Sequence, residues 1–157
     1  MTDHPRSGTP TRTPWLEALL GYGPASILPL AALGWFVTRQ PWLIDAGRVW
    51  GAAILIFLAG VTRGLSFFTE GGPRVSQIVI MLLRFLLGLA ALLAPPPPAF
   101  VLLIIGYASI ALTDTAAARD GAAPRYFARL RPPQMLVAEA GLIALLIATL
   151  GLRASGG

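Results

Sequence analysis

Residues 75–98 read VSQIVIMLLRFLLGLAALLAPPPP. Before the prolines the stretch carries one charge, Arg84, near its middle. A helix of this length rises about 30 Å at about 1.5 Å per residue, which matches the hydrocarbon thickness of a bilayer. The four prolines at 95–98 cannot continue that helix and predict a short, stiff connection.

Working outward, the same pattern repeats. Residues 99–117 form another apolar stretch, and 48–68 form one before the turn signal Gly71-Gly72-Pro73. Further spans are expected at 15–37 and 134–152, with Pro24 and Pro29 predicting a break in the first around Gly21–Pro24. The loop 38–47 holds Arg39, Pro41, Trp42 and Asp45, and the loop 118–133 holds four arginines. The expected fold class is all-α, a polytopic membrane protein built as a five-helix bundle. Its domain covers 15–152, between a disordered polar tail at 1–14 and a short tail at 153–157. Gly60 and Gly64 form a GxxxG that permits close helix approach, and Ala140, Ala144 and Ala148 form a second small-residue face.

Composition supports this solvent. The 157 residues are 55% hydrophobic and 12% charged, against about 25% charged in soluble domains. Mean hydropathy is +0.71. The chain has no cysteine, which excludes disulfides, thiol nucleophiles and iron–sulfur ligation. Its one histidine, His4, gives no basis for a metal or haem site, so no cofactor is expected. No apolar core of a signal peptide precedes the first span.

All twelve basic residues are arginine, which fits a GC-rich bacterial source. No basic stripe with interleaved aromatics is present, so nucleic acid is not an expected partner. The arginines set orientation instead. Seven loop arginines (Arg6, Arg12, Arg74, Arg119, Arg125, Arg129, Arg131) fall on one side and three (Arg39, Arg48, Arg153) on the other. This predicts a bacterial inner-membrane protein with its N-terminus cytoplasmic and its C-terminus periplasmic. Trp15, Trp35, Trp42, Trp50, Tyr126 and Phe127 lie near the span ends as an interfacial belt.

Charges inside the spans are the candidate site. Counted from the cytoplasmic end, Arg63 and Glu139 lie about 7 Å deep, Asp114 about 5 Å and Arg84 about 14 Å. Side chains lean toward the N-terminus of their helix, which carries Arg84 and Asp114 toward a common depth. Two arginines and two carboxylates sum to zero, and the expected network pairs Arg84 with Asp114 and Arg63 with Glu139. Snorkelling or structural pairing competes with a substrate or proton path. Ser26, Ser66, Ser76 and Ser109 have no histidine or lysine to act as a base. No nucleotide-binding loop is present.

Two stretches carry a family resemblance. Phe57-Leu58-Ala59-Gly60-Val61-Thr62-Arg63-Gly64-Leu65 resembles a second-helix motif of the form F-L-G-G-x-[RH]-W-G-x. Arg125-Tyr126-Phe127-Ala128-Arg129-Leu130-Arg131-Pro132-Pro133 resembles a W-Y-x-x-L-R-x-P segment before the last helix, marking Tyr126, Arg129, Leu130 and Arg131 as a motif loop. Together they resemble a family of small bacterial membrane proteins of unknown function related to mitochondrial transmembrane protein 69. Ala59, Thr62, Arg63, Tyr126 and Phe127 depart from that pattern. The resemblance implies a five-helix membrane domain and no established activity.

Three readings follow. The first is a non-enzymatic integral protein that works by helix packing and contact with the bilayer, a membrane-protein partner or a second copy. The second is a small-solute or proton-linked transporter lined by Glu17 and Asp114. The third is a membrane-embedded enzyme acting on lipid.

Overall fold

The computed structural model describes residues 15–69, 71–119, 123 and 126–155. The expected tail at 1–14, with Arg6 and Arg12, lies outside the described residues, as does Arg125. Five helices follow in order: α1 (Trp15–Thr38), α2 (Trp42–Ser66), α3 (Val75–Leu93), α4 (Pro96–Arg119) and α5 (Phe127–Ser155). All five are long and apolar enough to cross a membrane, and no strand is present among the described residues.

Local chemistry sets the boundaries. At the end of α1, Arg39 takes a left-handed φ of 57° and donates its N–H to the Trp35 carbonyl at 2.7 Å, which ends the helix. Its guanidinium lies 4.5 Å from the centre of the Trp35 ring. Between α2 and α3, Gly71 and Gly72 adopt φ of 80° and 94°, a conformation that L side chains rarely take. At the start of α3, Gln77 Oε1 accepts from the Arg74 N–H at 2.9 Å.

An expected break and several expected boundaries are corrected. Helix α1 runs unbroken through Pro24 and Pro29. Helix α2 starts at Trp42, so Asp45, expected in a loop, lies on it and forms an i,i+3 pair with Arg48 at 3.4 Å. Arg48 also donates to the carbonyls of Leu92 (2.7 Å) and Ala91 (3.3 Å), which α3 leaves free at its end. Helix α4 begins within the proline run, because first-turn residues need no backbone donor. Helix α5 begins at Phe127 and passes through Pro132 and Pro133, so Arg129, Leu130 and Arg131 of the expected motif loop lie in its first turns. Residues 153–155 extend the same helix.

Neighbours in sequence pack as neighbours in space, and α5 closes the ring against α1. Helix α2 touches all four others. Leu28, Leu55, Phe100, Leu103, Leu142 and Leu145 are fully buried and form the apolar centre. Helix α3 shows which solvent this fold suits. Its buried residues are Arg84, Gly88 and Ala91, while Val79, Leu82, Leu83 and Leu86 face outward. A helix that hides its one charge and exposes its leucines is inverted relative to a water-soluble one.

Close approach depends on particular glycines. A Cβ on Gly141 would collide with the α1 backbone at Leu28–Pro29, and one on Gly88 would meet Ile56 at 2.7 Å. Gly60 and Gly64 are different: a Cβ on either meets nothing within 4 Å. Among the described residues nothing packs closely enough to need a glycine at either position, which corrects the expected close approach of a helix there. The GxxxG spacing matched a packing motif, but this face of α2 looks outward.

Candidate functional site

Arg84 is fully buried on α3, the span with the smallest buried share. Each of its nitrogens reaches an acceptor. Nε donates to Ser109 Oγ at 3.2 Å, Nη1 donates to Thr62 Oγ1, and Nη2 lies 2.9 Å from Asp114 Oδ1. Nη2 also reaches the Ser109 carbonyl at 3.2 Å and Thr113 Oγ1. One guanidinium thus ties α3 to α2 and α4. Ser109, Thr113 and Asp114 converge on it because i, i+4 and i+5 fall on adjoining parts of one helix face.

Asp114 has a second cation. Arg131, on the second turn of α5, brings its Nε within 3.3 Å of Asp114 Oδ2. The side chains of Asp114 and Arg131 are only 11% and 7% exposed. Arg131 Nη1 donates to Gln134 Oε1 at 3.1 Å, and Gln134 Nε2 donates to the Gly21 carbonyl on α1 at 3.0 Å. The Arg131 guanidinium also lies 4.4 Å from the centre of the Phe127 ring. The chain Thr62–Arg84–Asp114–Arg131–Gln134–Gly21 thus touches all five helices.

The expected partner of Arg63 is corrected. Arg63 donates to Ser66 Oγ at 2.9 Å and covers the Phe67 ring at 4.1 Å, near the end of α2. Glu139 pairs with no cation among the described residues, and its Oε1 is buried without a hydrogen-bond partner. Its depth also changes. Because α5 starts at Phe127, Glu139 lies about 18 Å along the helix and near its midpoint. Of the four expected members, Arg84 and Asp114 meet, and Arg131 takes the place expected for a second cation. Glu17 lines a cavity together with Arg131.

The motif residues divide by face. Leu130 and Arg131 point inward, while Arg129 is exposed. Tyr126 precedes α5 and meets Phe127 edge-on, with ring centres 5.1 Å apart. Burial pushes the Tyr126 hydroxyl above its ordinary value, the nearby Glu17 carboxylate adds to this, and Arg131 opposes it.

Two spaces flank the cluster. A chamber of about 60 Å³, lined by Thr62, Gln77, Thr113 and Asp114 among others, lies on the α2–α3–α4 side. A crevice of about 190 Å³ lies between α1, α2 and α5, with Tyr107 of α4 at its floor. The Tyr107 hydroxyl donates to the Gly51 carbonyl at 3.1 Å. No group of three His, Cys, Asp or Glu able to hold a metal occurs among the described residues.

Charges turned inward, leucines turned outward and five helices of membrane length place this chain among the multi-pass membrane proteins. Within that class its family is shown by sequence. The chain belongs to the family described as "Protein of unknown function (DUF3429)", whose model matches residues 10–150. No curated protein and no solved structure matches it.

Proposed function

We propose that this protein is a non-enzymatic component of the bacterial inner membrane, in which the Arg84–Asp114–Arg131 cluster locks the bundle so that its outer faces can contact a partner or a second copy. One observation carries the reading: every nitrogen of the Arg84 guanidinium is engaged by acceptors on α2 and α4, and fully buried apolar side chains fill the bundle beyond it. A cation held this way is poorly placed to release and rebind a passing solute. The proposed orientation is N-terminus cytoplasmic and C-terminus periplasmic, with the arginines between Arg119 and Arg131 near anionic headgroups. The likeness of the two quoted motifs to the family of mitochondrial transmembrane protein 69 belongs to the same reading.

The small chamber beside Asp114 favours a second reading, proton-linked or small-solute transport, because it brings open space to that carboxylate, with Thr62, Gln77 and Thr113 among its lining. Reconstitution separates the two. Under the first reading, proteoliposomes show no proton or solute flux across a broad panel, while Asp114→Asn lowers thermal stability. Flux that Asp114→Asn abolishes without loss of folded protein would establish the second. Compartment-sensitive reporters on each terminus test the orientation, which fails if both report the same side.

A further inference from the structure

The crevice between α1, α2 and α5 has a shape and polarity that the locking role leaves unused. On α1 its lining runs from Glu17 to Ala25, and on α5 from Phe127 to Met135. Eight residues of helix rise about 12 Å, close to half of the roughly 30 Å hydrocarbon thickness. The crevice therefore spans about one leaflet. Its walls are chiefly apolar, and the strongly exposed Leu20 and Phe57 mark an opening at the lipid-facing side. Towards the deep end, the Pro24 carbonyl accepts from the Trp50 indole N–H at 2.9 Å.

Polar groups collect at the other end, where α1 and α5 both begin. Glu17 and Arg131 line the crevice there with opposite charges. Arg131 is more than nine-tenths buried, and its one hydrogen bond goes from Nη1 to Gln134. Its Nε faces Asp114 without forming a hydrogen bond. The guanidinium therefore keeps donor capacity. The helix N-terminus at Phe127 adds partial positive charge beside it. Glu17, Asp114, Arg84 and Arg131 together sum to zero, so a bound headgroup with a net charge would be left uncompensated. A headgroup with separated charges of both signs fits.

We propose that this crevice binds one zwitterionic phospholipid of the surrounding leaflet, with an acyl chain along Pro24, Ile54 and Val61, the phosphate at Arg131 and the ammonium at Glu17. Bulk lipid touching the outside of the bundle has no buried cation to meet. The site differs from such contact in holding chain and headgroup at once.

The test uses the full chain in lipid nanodiscs that contain a small fraction of phosphatidylethanolamine with a photoactivatable acyl chain, followed by mass spectrometry of the labelled peptides. Labelling concentrated on α1 and α2 around Leu20 and Phe57, severalfold above the lipid-facing α4 surface at Leu112, is the expected result. Filling the crevice with Val61→Trp should remove that excess, and Leu112→Trp should leave it unchanged. Should Val61→Trp fail to fold, Ile54→Trp replaces it, and the wild-type labelling pattern already decides the matter. Uniform labelling of all outward faces, or an excess that survives filling of the crevice, overturns the proposal. The headgroup assignment has its own arms. Phosphatidylethanolamine should label more strongly than phosphatidylglycerol, and Glu17→Gln should narrow the difference. Equal or stronger labelling by phosphatidylglycerol in wild type overturns the zwitterionic assignment.

Discussion

Arg131 Nε stands 3.3 Å from Asp114 Oδ2, the carboxylate oxygen that Arg84 leaves free, so a single aspartate lies between two buried guanidiniums. This joins α3, α4 and α5 at one depth. In hydrocarbon neither cation could be stripped of its partner cheaply, because the attraction and the desolvation cost both grow as the dielectric falls. Asp114 is therefore the member on which both arginines depend.

Asp114→Asn keeps the shape of the side chain and removes the charge, leaving two cations to face each other. Breaking a buried pair at one partner costs about 3–5 kcal/mol. Unfolding in mixed micelles should show a loss of that order. Arg84→Met combined with Asp114→Leu should lose less than the sum of the two single changes. Strict additivity in that cycle would show that the 2.9 Å contact carries no coupling.

Glu139 runs the opposite way. Its Oε1 is buried without a partner near the middle of α5, where neither membrane surface is within reach of the side chain. A buried polar group without a hydrogen bond costs about 1–3 kcal/mol. Glu139→Leu should therefore raise thermal stability in micelles by an amount of that order. A clear loss of stability would mean that Glu139 meets a partner the isolated chain lacks.

The fold is most legible in the sequence where the choice of solvent decides it. A twenty-residue stretch with a single charge, ending in four prolines, requires a membrane helix, and the lean of side chains along their helices brings Arg84 and Asp114 to one level. Arg131 is expected in the polar loop 118–133, whereas α5 starts at Phe127 and carries it on its second turn. That error of one boundary hid the second cation and left Glu139 too shallow. Ser109, Thr113 and Gln134 were uninformative on their own, since hydroxyls and amides are common in membrane helices and become ligands only when a guanidinium arrives from another one. The i, i+4 spacing of Ser109 and Thr113, with Asp114 next to them, was the available signal.

Glycines should separate by what surrounds them. Gly141→Ala places a methyl group against the α1 backbone, which cannot rotate aside. Overpacking of that kind costs about 1–3 kcal/mol. Gly64→Ala meets open space and gains helix propensity of up to about 1 kcal/mol. Thermal unfolding of the two variants should move in opposite directions. A stable Gly141→Ala would mean that α1 and α5 can separate without loss.

Tyr126 offers a readout of the same corner by light absorption. Burial and then Glu17 raise its hydroxyl above the ordinary 10.0, and Arg131 partly offsets them. A raised value in the folded state favours the neutral phenol, so this contribution to stability is complete below pH 10.0 and is lost as pH rises through the raised value. The phenolate absorbance of wild type minus Tyr126→Phe should therefore reach its midpoint above that of free tyrosine. Glu17→Gln should bring the midpoint down, because the carboxylate that opposes a second negative charge is gone. A midpoint unchanged by Glu17→Gln would place Glu17 too far from Tyr126 to share the mouth of the crevice, and with it too far to hold an ammonium group there.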